Sequence, residues 1–460
     1  SKGGSFRYLP KNCLFDVGGS CIFPNVGIDS YAVLAVLNTL LIRYISDCLN
    51  PTVNIQVGDM QRFPISLGSN ELLGSLSKQN VEIKKRLCEF SLIEPLYKSS
   101  PISTNKDANS SIFDFYNYEN ALLTQILLNE AVINKAVFEV YALNEHDKQM
   151  VLDKEGIPIG DLPVSPEAKT AYREWLAGNS EFPATEEVIA HLGALEECTD
   201  LPRVTDFNAL YQNNNGWEEF CIKHKMNPVE VWHQFRSTRV LPPQRTQTLV
   251  FELLTDVVRF ILAKDDDGVI PLGDKMGEER LSLRIEHEFI ERGYSAAQFA
   301  QVCQLLGCDF ERYLRERFFQ QLSDHLNLFM YLPKTPFIWH ISSGEHHALE
   351  LYVSIYKWSR DTLFRLRSIY AANRETMISD RLNSLDTTTT AGRMEATELR
   401  AMLAELHAFC DKVDRLLASG YNPKFDDGVG KNIAPLQQQG LLSYEVLNER
   451  QLEKYLHADW

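Results

Sequence analysis

The chain has 460 residues, about three times a typical domain, and is 44% apolar and 23% charged, so two to four domains with sizeable cores are expected. That composition excludes a disordered, collagenous or disulfide-scaffold protein, and no run approaches the roughly 18 to 20 uninterrupted apolar residues of a membrane span. The net charge of −16 argues at first against a polyanionic partner, yet residues 101–200 alone carry −12 while residues 1–100 carry +2. A local DNA-binding surface near the N-terminus is therefore compatible with global acidity. The acidic block reads as a solvated face, or as a docking face for a basic partner.

The start, Ser-Lys-Gly-Gly-Ser, has no apolar signal region and no initiator Met, so a processed chain or a piece of a longer one is expected. Residues 6–10, 13–17 and 21–24 read as short β segments punctuated by Gly18-Gly19 and X-Pro steps. Asp29-Ser30 caps one apolar helix over 31–49, stopped at Asn50-Pro51. Residues 53–57, Val-Asn-Ile-Gln-Val, alternate as a strand, and Gly58-Asp59 turns the chain. Helical periodicity follows near 70–90, 117–150, 166–178 and 184–197. Residues 97–113, 156–166, 212–216 and 265–268 are breaks. In the C-terminal third, Leu349, Tyr352, Tyr356, Ser359, Leu363, Leu366 and Tyr370 recur in steps of three and four, as do Leu399, Met402, Leu406, Phe409, Val413 and Leu416. Residues 383–392 continue a helix poorly, so an antiparallel helical hairpin over 345–420 is expected, ending at Gly420. The fold class is α+β, mostly helical. Its parts are a small mixed α/β region at 1–95, a helical spacer at 96–330, and a C-terminal helical domain at 331–460.

A search for chemistry finds no Gly-rich nucleotide loop, Walker A, His-Glu-x-x-His or Gly-x-Ser-x-Gly motif, and therefore no catalytic, cofactor-binding or metal residue. Nine scattered cysteines, none in a C-x-x-C pair, read as reduced thiols of a cytoplasmic protein. His346-His347 are adjacent and make a poor metal site. Asp426-Asp427-Gly428 lacks the later Glu of a calcium loop and reads as a turn. Asp59, Glu82 and Lys84 have the spacing of a nuclease metal site, but that site needs carboxylates on adjoining strands. Residues 50–65 are more informative. Strand alternation turns Val53, Ile55 and Val57 inward and puts Thr52, Asn54 and Gln56 on the other face. Amides match adenine and Arg matches guanine bidentately, so this face and Arg62 are candidate DNA-binding residues. Arg62 could instead grip a phosphate, or pair with Asp59.

Several stretches carry a family resemblance. They are Cys21-Ile22-Phe23-Pro24-Asn25, residues 50–65, Phe6-Arg7-Tyr8-Leu9-Pro10-Lys11, Tyr313-Leu314-Arg315-Glu316-Arg317, Pro336-Phe337-Ile338-Trp339, and Asp426-Asp427-Gly428-Val429. Together they resemble the C-terminal portion of the large PglX-type adenine-specific DNA methyltransferases of BREX phage-defence systems, similar in turn to type IIG restriction-modification enzymes. The resemblance implies a target-recognition region acting on double-stranded DNA for an N6-adenine methyltransferase. It implies S-adenosylmethionine as the cofactor of the full-length enzyme, and as partners an N-terminal methyltransferase domain and other phage-defence proteins, with no membrane. Such enzymes hold the flipped adenine with an Asn/Asp-Pro-Pro-Tyr/Phe motif. Here only Asn50-Pro51-Thr52, Asn227-Pro228-Val229 and Asn422-Pro423-Lys424 occur. The catalytic domain is thus expected before Ser1. A helical scaffold for a defence complex and, less favourably, a nuclease are the alternatives.

Overall fold

A computed structural model describes residues 5–11, 13–15, 20–50, 57–68, 71–273, 278–327 and 334–458. It divides into two compact units, one of residues 1–101 and 109–246, the other of residues 102–108 and 247–460. The sequence-based boundaries at 95 and 330 differ from this division, which falls between 246 and 247.

The first unit is helical. Its centre is the helix Ala108–Val140, whose apolar residues include the fully buried Ile112, Leu122, Leu128 and Val137. This helix is long and apolar enough to cross a membrane, but 83% of its most apolar window is buried within the protein, as in a core helix. Glu71–Cys88 packs against it through Ile83, which meets Leu122 and Ile126. Two further helices show why local sequence suffices in places. In Pro166–Gly178, Ser165 caps the Ala168 amide and proline takes the first helical position, where its missing N–H costs nothing. Pro228–Thr238 repeats the device with Asn227. Tyr172 and Trp232 then lock the two helices edge to face at 5.1 Å.

The central helix is not purely apolar. Asn120, Thr124, Gln125 and Asn129 are fully buried. Buried amides are usually paired, and the NH2 groups of Gln125 and Asn129 find partners on neighbouring elements, whereas Asn120 Nδ2 and Asn129 Oδ1 have none. Gln125 donates to Gln79 at 3.1 Å and to the Phe182 carbonyl at 2.9 Å, and Asn129 donates to Gln79 and Asn80 at 2.9 and 2.7 Å.

The second unit holds a three-stranded antiparallel sheet in which Glu350–Ser354 lies between Val269–Pro271 and Ile338–Ser342. All strand residues are buried. A helical hairpin follows, with one arm over 362–384 and the other Thr390–Ala418. Leu363, Leu366, Tyr370, Leu406, Phe409, Val413 and Leu416 are its buried seam. The second arm ends in a Schellman motif: Gly420 at φ 73° donates to Leu417 O and Tyr421 donates to Leu416 O. The hairpin is joined to the sheet by Glu405, whose carboxylate accepts from Ser343 Oγ at 2.6 Å, His346 N at 2.7 Å and Ala348 N at 3.1 Å.

The mostly helical α+β class holds, and several local expectations are corrected. The expected β segments 6–10, 13–17 and 21–24 form no strand among the described residues, and residues 16 and 17 lie outside them; Phe6 instead exchanges backbone bonds with the Asn38 side chain. The helix over 31–49 is two helices, Ser30–Leu37 and Leu40–Leu49, bent by 65° where Thr39 caps the second. Residues 108–113, read as loop, are the first turns of the central helix. The hairpin arm begins at Thr362 rather than 345: Leu349 leads into the strand Glu350–Ser354, and Tyr356 lies on a short 3₁₀ turn.

Candidate nucleic-acid interface

Thr52, Asn54 and Gln56 lie outside the described residues, as does the strand expected over 53–56. Val57, its last residue, belongs to a single helical turn, Val57–Met60, closed by a bond from Gln61 N to Val57 O at 3.1 Å. Val57 is therefore 53% exposed rather than turned inward, since a helical turn does not alternate faces. Arg62 follows on the exposed turn and forms no ion pair among the described residues. Its alternative partner Asp59 accepts instead from Asn50 Nδ2 at 2.7 Å. The turn is held on its C-terminal side. Phe63 is buried edge-on to Phe6 at 6.4 Å, and the Tyr141 hydroxyl donates to Pro64 O while accepting from Ser66 N at 2.9 Å. An exposed guanidinium on a tethered turn has the geometry a groove or phosphate contact needs.

A second group of charges gathers in the same unit and went unnoticed in the sequence. Glu130, on the central helix, is exposed to solvent. Crowding by neighbouring groups pushes its carboxyl up despite that exposure; Glu218 adds to the rise, while Lys84, Arg7 and Arg43 oppose it. Lys84 and Arg7 are exposed, and Arg43 reaches Glu155 only at 4.0 Å. Their net +2 over residues 1–100 is legible in the sequence; their convergence is not, because they come from three separate segments.

The other candidates resolve differently. Asp59 and Glu82 stand on helices, not adjoining strands, and Glu82 is paired with Lys85 at 2.8 Å. Among the described residues no group of three His, Cys, Asp or Glu side chains could hold a metal ion. His346 and His347 sit in the turn after Ile338–Ser342, facing Glu398 and Glu350, each at 3.0 Å. Among the described residues no parallel sheet occurs, so the strand ends and glycine turn that would seat a nucleoside cofactor are not formed here, and no step is assigned to S-adenosylmethionine in these units.

No family model matches the chain. It is 24% identical over 457 residues, 94% of its length, to the adenine-specific methyltransferase BrxX of Escherichia coli O9:H4 (strain HS). The chain spans about a third of that protein, 34% of its length. The relation to BREX-type adenine-specific methyltransferases drawn from scattered motifs is thus borne out along nearly the whole chain.

Proposed function

We propose that this chain is the DNA-positioning portion of an adenine-specific DNA methyltransferase acting in phage defence, with the cofactor and the chemistry supplied by polypeptide outside these 460 residues. The observation that carries the reading is the similarity to BrxX over 94% of the chain. It is supported by the exposed, tethered Arg62 and by the gathering of Arg7, Arg43 and Lys84 in a unit whose first hundred residues are net basic. In this reading the first unit grips duplex DNA and Arg62 contributes either base reading or phosphate binding.

The two roles of Arg62 separate experimentally. Methylation by the full-length enzyme carrying Arg62→Ala is scored over many sites. A lost base contact relaxes preference at one position by roughly 1 to 3 kcal/mol. A lost phosphate contact weakens all sites alike and lowers the salt slope by about one. Unchanged rate and site preference would assign the turn to structure. The helical scaffold is the second reading, favoured by the net −12 of residues 101–200. Failure of the chain to bind duplex DNA at low salt would select it.

A further inference from the structure

The second unit presents an exposed row of aromatic rings assembled from three distant stretches. Tyr356 lies 5.8 Å from Phe425 with the planes 20° apart, and 6.4 Å from Phe337 at 32°. Tyr356 and Phe425 are 66% and 62% exposed. Most large side chains in this unit are covered, so two stacked rings left open stand out.

The row is built on a rigid base. Phe337 precedes the buried strand Ile338–Ser342. Tyr356 sits on the turn Ile355–Lys357, whose approach to the Asp265–Gly268 turn is so close that a Cβ at Gly268 would lie 2.5 Å from Lys357 Cβ. Next to it, Trp358 packs edge-on against the buried Trp339 at 5.4 Å and against Tyr421 at 6.1 Å. Lys424, before Phe425, is fixed by its N–H donating to Asn432 Oδ1 at 2.9 Å. Three cations flank the rings in sequence. Lys357, Arg360 and Lys424 are exposed and form no ion pair among the described residues. Two exposed carboxylates, Asp361 and Asp426, offset part of that charge, while Asp427 is held by Lys431 at 3.7 Å.

We propose that this face binds an unpaired stretch of DNA, its bases stacking on Phe425 and Tyr356 and its phosphates meeting Lys357, Arg360 and Lys424. Ring faces can stack only on bases that are not already stacked in a duplex, whereas unpaired cations attract any phosphate backbone. The small net charge makes stacking the larger contribution. The inference rests on the reading that the chain handles DNA, but it uses other residues and a different form of the polymer.

The test uses the whole chain and two fluorescein-labelled probes, a single strand and a blunt duplex of equal length, read by anisotropy. Phe425→Ala and Tyr356→Ala should each weaken single-strand binding roughly 5- to 100-fold and leave duplex binding within about twofold. Phe425→Trp should retain it. Lys357→Gln and Lys424→Gln should each reduce the single-strand salt slope by about 0.7. All four side chains are exposed, and thermal melting confirms that the variants fold. Single-strand affinity unchanged in both alanine variants overturns the proposal and leaves the face to a polypeptide partner. Duplex binding that Arg62→Ala abolishes, with no single-strand binding, overturns this inference alone. Absence of binding to either probe overturns it together with the DNA reading.

Discussion

Replacing Glu405 by Ala removes a side chain that joins the helical hairpin to the sheet, beside the bonds that Tyr370 donates to Val269 O and Arg374 to Ala348 O. Three donors converge on its carboxylate, two of them backbone amides of the turn between Ile338–Ser342 and Glu350–Ser354. Hydrogen bonds to a charged group contribute about 1.5 to 3 kcal/mol each, but this carboxylate is half-buried and water can replace part of what is lost. A loss of about 2 to 4 kcal/mol in local stability is expected. It should appear as faster hydrogen exchange at His346 and Ala348, with the helices of the first unit unaffected. The bonds from Ser343, His346 and Ala348 hold the carboxyl below its usual range against the opposing effect of burial. A carboxyl depressed in the folded state stabilises above its unfolded value and loses that contribution as pH falls through the folded one. The difference between wild type and Glu405→Ala should therefore be full at neutral pH and close below about pH 4. Equal exchange rates at the turn in both proteins at pH 7 would refute the reasoning.

Three further outcomes are expected. Leu406→Asp puts a carboxylate into the fully buried hairpin seam and should cost several kcal/mol, about 3 or more; melting at the wild-type temperature would show the seam to be wrong. His340 is fully buried, stacked on Tyr352 at 4.6 Å, with neither ring nitrogen hydrogen-bonded, and burial depresses it to about 3. A histidine depressed in the folded state costs stability as pH falls below its unfolded value, by about 1.4 kcal/mol per unit from pH 6.5 towards 3, so His340→Phe should remove that acid sensitivity in urea titrations at pH 7 and pH 5. Glu130 places a carboxylate beside Arg7, Arg43 and Lys84, so Glu130→Gln should raise duplex affinity at low salt, and unchanged affinity would place the DNA elsewhere.

What was legible in the sequence follows from where its signals are local. Pro166–Gly178 and Glu186–Ala194 are set by caps and periodicity within their own residues, and the read segments match them closely. The seam from Leu363 to Tyr370 was legible for the same reason. Its extension back to Leu349 was not. Glu350–Ser354 is the middle strand of the sheet and is buried throughout, so neither a period of two nor one of 3.6 marks it. The amides Gln79, Asn80, Gln125 and Asn129 look like surface residues until the helices are placed together, because their burial depends on partners 46 to 50 positions away.

Charge shows the same limit in a form that bears on function. A total of −16 describes a chain that should avoid a polyanion, but binding depends on which charges lack partners and where they lie. Much of the acidity is already committed: Glu119 to Arg245, Asp256 to Arg259 and Arg292, Asp265 to Arg284, Glu350 to Arg315. Among the described residues Arg62 remains without an ion pair on its turn, as do Lys357, Arg360 and Lys424 near the exposed rings in sequence. A phosphate at such a site meets the local cation first, and more distant carboxylates are screened over roughly 8 to 10 Å at ordinary salt. The acidic total is thus compatible with local contacts to DNA, and its consequence is a weak, salt-sensitive grip wherever those contacts are few.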